Sequence, residues 1–178
     1  SSKTRSSLKK SNKSNVCLLS PFISPKDNNK FIVSNISFDK PIIYSPYPLN
    51  EIIISKNDKE LWRAKGQSIS ERIEGIIEWP TSPLKPNQKY LITITPIGVE
   101  PGVGAKINLH TSPKESFIQL DPLINSLGKN KTKWINTIDK NLKRDKNLAF
   151  ALLFSKKIPN SRGLIEAKNK LISLEGCN

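Results

Sequence analysis

Few side chains in this sequence are suited to catalysis or metal binding: the chain has one histidine and two cysteines. His110 alone cannot build a histidine-rich zinc site, and Cys17 and Cys177 are too far apart in sequence for a metal-binding cysteine pair. No Gly-x-Ser-x-Gly elbow is present to support a serine hydrolase triad. We therefore expect His110 to be structural or solvent-exposed, and we expect no enzyme, no cofactor and no metal site.

Three other patterns could also carry chemistry. The segment 102–106, Gly-Val-Gly-Ala-Lys, lacks the spacing of a phosphate-binding loop and leads into a strand-like run, so we predict a hairpin turn. The carboxylates of Glu71, Glu74 and Glu78 lie close in sequence, but nothing supports their use as an acid/base pair. The tryptophans could stack on sugars or bases, although burial is the commoner role: Trp62, Trp79 and Trp134.

The cysteines lie near opposite ends of the chain. In an exported protein, a Cys17–Cys177 disulfide would tie the start of the fold to its end. Closing so long a loop could stabilise the fold by up to about 5 kcal/mol in the chain-entropy model. Two unpaired thiols in a cytosolic protein are the alternative, because sequence cannot show that the two residues come close.

The formal net charge of +14 is unevenly distributed. Residues 1–16 carry +5, residues 17–112 carry +2 and residues 113–178 carry +7, counting lysine and arginine against aspartate and glutamate. Basic ends around a nearly neutral middle favour contact with polyanions or an anionic membrane. Candidate residues are clustered near a predicted helix break: Lys140, Lys143, Arg144 and Lys146, with Lys129, Lys131 and Lys133 nearby. A solvated helix face, or a general lysine bias of the source organism, would also explain this pattern.

The elements that must position these side chains begin with a proline-rich corner. Leu84, Pro86 and Tyr90 form a Leu-x-Pro-x-x-x-Tyr motif, after which apolar and polar residues alternate as in a half-buried strand. This is typical of a tyrosine corner, in which the ring packs in the core and the hydroxyl bonds to the preceding loop. We expect Tyr90 to be buried and to bond to the backbone of residues 82–88.

Short β-like runs precede and follow this corner, and helical periodicity begins near residue 112. After a first segment at 16–23, strands are predicted at 31–33 (extending towards 38), 41–44, 51–55, 60–64, 73–78, 91–95 and 105–110. Pro46 and Pro48 are expected to end the second of these strands. A capping box at Ser112–Glu115 predicts a helix, and further helices are expected at 121–127, 133–144, 146–157 and 162–174. The predicted organisation is a basic tail (1–15) that we expect to be disordered, a β-sandwich (16–111) and a helical appendage (112–178).

The corner and its strand resemble fibronectin type III and immunoglobulin-like domains. The order Cys-Leu-Leu-Ser-Pro (17–21), Asp-Lys-Pro-Ile-Ile (39–43), Leu-Trp (61–62) and Pro-Leu-Lys-Pro-x-x-x-Tyr (83–90) is similar to uncharacterised extracytoplasmic proteins of cyanobacteria. In those proteins an aromatic residue stands at the position of Tyr44, and glycine is commoner at that of Asn87. The resemblance covers about residues 16–110. It implies export and a periplasmic or surface location, and it implies no known activity.

Together these observations predict an exported, non-enzymatic interaction or envelope-associated module. Its partner would be another protein or an envelope component. The alternative is a basic polyanion-binding accessory protein that contacts nucleic acid or an anionic membrane surface. The longest apolar run, Leu148–Phe154, is too short to span a bilayer. The sequence contains no methionine, so we expect a mature or shortened form from which a signal peptide has been removed.

Overall fold

A computed structural model describes residues 16–23, 32–66, 72–100 and 104–174. The predicted tail therefore lies outside the described residues. The strands within these ranges are β1 (Leu18–Leu19), β2 (Phe22–Ile23), β3 (Ile32–Ile36), β4 (Ile43–Lys56), β5 (Lys59–Lys65), β6 (Ile73–Ile77), β7 (Lys89–Pro96) and β8 (Ala105–Thr111). The helices are α1 (Leu120–Leu127), α2 (Lys131–Arg144), α3 (Lys146–Leu153) and α4 (Arg162–Leu174).

Strands β3 to β8 form one sheet in the order β3-β8-β7-β4-β5, and β6 also pairs with β4. The β3–β8 pair is parallel and all other pairs in this sheet are antiparallel. Because β7 occupies one edge of β4, strands β5 and β6 follow each other along the opposite edge. The short β1–β2 hairpin is joined to β4 by a bridge between Ser20 and Tyr44.

One face of the sheet carries a continuous apolar row. Residues in register across five strands are Ile32, Ile107, Ile92, Ile54 and Trp62. The three central isoleucines of this row are fully buried. The next row on the other face mixes polar and apolar side chains, namely Lys106, Thr93, Ile53 and Arg63. The alternation at residues 90–95 therefore placed Ile92 and Ile94 correctly on one buried face, although Thr93 and Thr95 on the other face are buried too.

The prediction of two separate strands at 41–44 and 51–55 is wrong. A single strand, β4, runs from Ile43 to Lys56 through both prolines. The pairing of β4 with β6 shifts register between Ser45 and Leu49, which is where Pro46 and Pro48 lie. Proline has no backbone N–H to donate to a neighbouring strand. Because the regular pairing is interrupted at this point, the two missing donors do not break a continuous ladder of hydrogen bonds.

The predicted helix at the capping box is also wrong. Only a short 3-10 turn, Lys114–Ser116, forms there, and no side chain caps it. The Ser112 backbone is already engaged, because its N–H donates to the Ile36 carbonyl oxygen at 3.0 Å and its carbonyl oxygen accepts from the Asn87 N–H at 3.0 Å. After this turn the chain is extended, and Ile118 forms a parallel β-bridge with Phe38 before α1 begins.

The other helix predictions hold, except that α3 ends at Leu153 rather than near Lys157. The Ser155 side chain accepts a hydrogen bond from the Lys157 N–H at 3.2 Å, a local turn that competes with helix continuation. The earlier end of α3 places Lys156 and Lys157 on an exposed turn.

Helix α3 is the central helix, because all its residues from Leu148 to Leu153 are buried. Asp145 caps its first turn and accepts a hydrogen bond from the Ser37 hydroxyl, while Tyr44 of β4 packs on Phe154 with ring centroids 5.1 Å apart. Buried residues of the sheet and of α1 to α4 form a single core cluster. The fold is thus sheet-rich with C-terminal helices, as predicted.

No helix in the described ranges combines the length and apolar character needed to cross a membrane.

Candidate functional site

The predicted corner exists, but a different side chain holds it in place. Tyr90 and Leu84 are buried, Pro86 is half-buried, and Asn87 adopts a positive φ of 56° that asparagine tolerates well. Contrary to expectation, the Tyr90 hydroxyl makes no hydrogen bond with the described residues of the 82–88 loop. Its ring instead packs against the Trp79 ring in an edge-to-face arrangement, with ring centroids 6.5 Å apart.

Thr111, at the end of β8, makes the bonds expected of the tyrosine. Its Oγ1 donates to the Lys85 carbonyl oxygen at 2.6 Å and accepts from the Gln88 N–H at 2.8 Å. The Thr111 N–H also donates to the Gln88 carbonyl oxygen at 2.9 Å. One threonine therefore fixes the proline-rich loop to the sheet. Because the bond spans more than twenty residues, local sequence patterns gave no signal for it.

The residues considered for catalysis do not meet in one place. His110 is half-buried on β8, opposite Lys89 and Asn35 in the sheet register. Within the described ranges, no group of three His, Cys, Asp or Glu side chains could hold a metal ion. Glu78 forms a long ion pair with Lys156 at 3.6 Å, whereas Glu74 is exposed. Glu71 lies outside the described residues.

The segment 102–106 is described only from Gly104 onward. Ala105 and Lys106 begin strand β8, as the sequence predicted for the residues after this turn.

Cys17 is buried, with 5% of its surface exposed, and no cysteine in the described ranges is a free thiol. Cys177 lies outside the described residues, so the Cys17–Cys177 disulfide stays a prediction. Among the tryptophans, Trp134 is fully buried and donates from Nε1 to the Gly128 carbonyl oxygen at 2.9 Å. Trp62 and Trp79 are partly buried and pack against the core.

A groove of about 470 Å³ lies between the Trp79 segment and helices α1 and α3. Its apolar lining is contributed by Ile42, Trp79, Leu120, Ile124, Ala151 and Phe154. These residues come from four distant parts of the chain, so the sequence gave no indication that they meet. We call this site the Trp79 groove. Its volume lies within the range of ordinary ligand and anchor-residue pockets.

Charges of both signs border the Trp79 groove. Lys40 donates to Asp121 at 2.6 Å, and this hydrogen bond raises the pKa of Lys40 above its usual value. Lys156 pairs with Glu78, while Lys157 donates to Asn125 at 3.3 Å. The apolar floor and mixed rim suit an apolar side chain whose neighbours are polar. Among the described lining residues, no side-chain hydroxyl nucleophile is hydrogen-bonded to a side-chain base.

A second cavity of about 640 Å³ adjoins the groove and shares Pro83 with it. Leu84 and Pro86 of the corner line this cavity, together with Phe117. Pro83, next to the corner motif, therefore lies between the two concave surfaces.

The residues of the predicted basic cluster lie near the junction of α2 and α3. Lys140, Lys143 and Arg144 are exposed at the end of α2, where the helix dipole favours cations. Lys146 is half-buried, with Nζ 5.6 Å from the Phe22 ring. Arg144 and Lys146 also line a polar cavity of about 330 Å³ whose other side chains include Asn35, Ser37, Ser112, Asp145 and Asn147.

No known protein family, curated protein or solved structure matches this chain. The fold, the Trp79 groove and the basic residues of α2 are therefore the basis for assigning a function.

Proposed function

We propose that this protein is a non-enzymatic interaction module, exported to the periplasm or cell surface, that binds another protein or an envelope component through the Trp79 groove. The observation that carries the proposal is the groove itself, an apolar floor within a rim of paired charges. An apolar anchor side chain of a partner would fill the floor, and its polar flanks would meet the rim.

The fold class supports this proposal. We assign the sheet to the fibronectin type III or immunoglobulin-like class, because a buried Tyr90 opens β7 after a proline-rich corner. The sheet departs from the usual antiparallel arrangement of that class at the parallel β3–β8 pair. Such sheets serve as rigid scaffolds for binding loops, and here the corner loop borders both cavities.

A charge introduced into the groove tests the proposal. Thr81→Arg places a long cationic side chain in the groove, whereas Thr132→Arg makes the same change on the exposed face of α2. We expect a partner captured from the envelope fraction to be retained by the wild type and by Thr132→Arg, and to be lost with Thr81→Arg. Equal capture by both variants would reject the groove as the binding site.

Export is tested separately by fractionating cells that express the full-length gene product. We expect the protein in the periplasmic or surface fraction, and recovery from the cytosol alone would reject this location.

The second candidate function is binding of a polyanion through α2. A specific observation favours it: the basic side chains of α2 form no ion pair with any described residue, whereas Arg63 and Arg162 are paired with carboxylates. Unpaired cations on a rigid surface are available to an anionic partner. Salt-dependent binding to nucleic acid or anionic vesicles is the measurement that separates this function from the first.

A further inference from the structure

We infer that α2 carries a phosphate-contacting stripe, formed by Lys133, Lys140 and Arg144, that binds the phosphodiester backbone of nucleic acid without reading its sequence. The inference rests on the second proposed function and assigns it both a partner and a set of residues. The sequence pattern had pointed to the cluster around the helix break. The helix geometry instead groups Lys133 with two members of that cluster.

Helical geometry puts the three side chains on one face. Lys133 and Lys140 are seven residues apart, and Arg144 follows four residues later. At about 100° per residue these positions lie within about 40° of one another around the helix. At about 1.5 Å per residue, the stripe is about 16 Å long. The acidic Asp139 points about 100° away from Lys140, so it lies outside the stripe.

The stripe is held on a rigid element. Trp134 and Ile138, which lie about 80–160° around α2 from the stripe residues, are buried in the core. Asn130 caps the helix by accepting from the Lys133 N–H at 3.1 Å. The backbone that carries the cations therefore needs little ordering when they meet a partner, although the exposed side chains still lose rotamer freedom.

The polar cavity at the end of the stripe extends the site. Asn35 is exposed at its edge, and its side chain makes no hydrogen bond with the described residues. The Asp145 carboxylate lies in this cavity, but Leu148 N–H and the Ser37 hydroxyl both donate to it. The exposed donors of Arg144 and Asn35, at the rim of this cavity, are the groups available to phosphate oxygens.

Two observations favour nucleic acid over a membrane. A helix that lies in a membrane interface buries its apolar face among lipids, but the apolar face of α2 is buried inside the protein. The exposed apolar residue on this helix is Ile135, which lies about 140° around the helix from Lys140. No aromatic side chain lies on the stripe, so base stacking is not expected and binding should depend on phosphates alone.

The test measures binding to a short mixed-sequence DNA duplex over a series of salt concentrations. The variant Lys133→Gln/Lys140→Gln/Arg144→Gln removes the stripe. The control Lys65→Gln/Lys89→Gln/Lys106→Gln removes three exposed cations from the sheet and has the same net charge. If each stripe residue contacts one phosphate, the slope of log affinity against log salt should flatten by about 2–3 in the stripe variant. The control should keep the wild-type slope, and circular dichroism should show both variants folded.

Each other outcome overturns a defined part of the inference. Equal losses in the two variants would show that net charge and not the stripe binds DNA, while polyanion binding itself would stand. Absence of salt-dependent duplex binding by the wild type would overturn both the stripe and the second proposed function. Binding to phosphatidylserine vesicles without duplex binding would replace nucleic acid by a membrane. A strong preference between two unrelated duplex sequences would contradict recognition through phosphates alone.

Discussion

Two buried threonines show how the environment of one hydroxyl changes the effect of the same substitution. Thr111 fixes the corner through its Oγ1, which donates its one proton to the Lys85 carbonyl oxygen and accepts from the Gln88 N–H. Thr95 is fully buried on β7, and its Oγ1 has no hydrogen-bond partner in the described structure. A buried hydroxyl without a hydrogen-bond partner destabilises the folded state, whereas one that is hydrogen-bonded stabilises it.

We therefore predict opposite results for two Thr→Val variants. Thr111→Val should lower the free energy of unfolding by about 1–3 kcal/mol, because the corner backbone loses its buried partners. Thr95→Val should leave the free energy of unfolding unchanged or increase it. Tyr90→Phe should have little effect, since its hydroxyl is not bonded to the corner. Chemical denaturation measures the free energy of unfolding of all three variants. A large decrease in Tyr90→Phe with no decrease in Thr111→Val would show that Tyr90, and not Thr111, holds the corner in place.

At the scale of the elements, the start of β8 passes unusually close to β7. A Cβ atom added at Gly104 would lie 1.9 Å from the Ile94 carbonyl oxygen, which is backbone and cannot rotate away. Glycine is therefore required where the two strands approach. At Gly163, near the start of α4, the nearest atom to an added Cβ is the Ser161 hydroxyl at 3.8 Å.

This difference predicts opposite effects for two Gly→Ala variants. Gly104→Ala should lower the melting temperature markedly, because the strands must separate to admit the methyl group. Gly163→Ala should raise stability by up to about 1 kcal/mol, since alanine favours the helix more than glycine does. Thermal unfolding followed by circular dichroism compares the two directly. A neutral Gly104→Ala would contradict the close approach of β7 and β8.

The elements that the sequence predicted well are those whose own periodicity decides their structure. Examples are helices α2 and α4 and strands β7 and β8, because each has an apolar face that its own sequence pattern shows. The errors arose where a distant partner decides the local structure. The irregular pairing between Ser45 and Leu49 tolerates two prolines within β4, and pairing with Ile36 and Asn87 prevents Ser112 from capping a helix. The Trp79 groove could not be predicted, because its lining residues meet only in the folded chain.

At the scale of the whole molecule, one core joins sheet and helices. Tyr44 of β4 packs on Phe154, and Lys168 of α4 places its Nζ 4.7 Å from the centre of the same ring. Because both halves bury residues in this core, loss of either would expose apolar surface of the other. We expect signals from strands and helices to change together during unfolding.

The predicted Cys17–Cys177 disulfide would close the chain around this core. Cys17 is already buried at its start, beside the fully buried Leu18 of β1. Alkylation of the unreduced protein in denaturant should label neither cysteine, whereas alkylation after reduction in denaturant should label both. In the chain-entropy model, breaking a disulfide that closes so long a loop lowers the free energy of unfolding by at most about 5 kcal/mol. Reductant should therefore lower the stability of the wild type to that of the Cys17→Ser/Cys177→Ser variant and leave the variant unchanged. Two freely reactive thiols in exported protein would reject the disulfide and weaken the proposed periplasmic location.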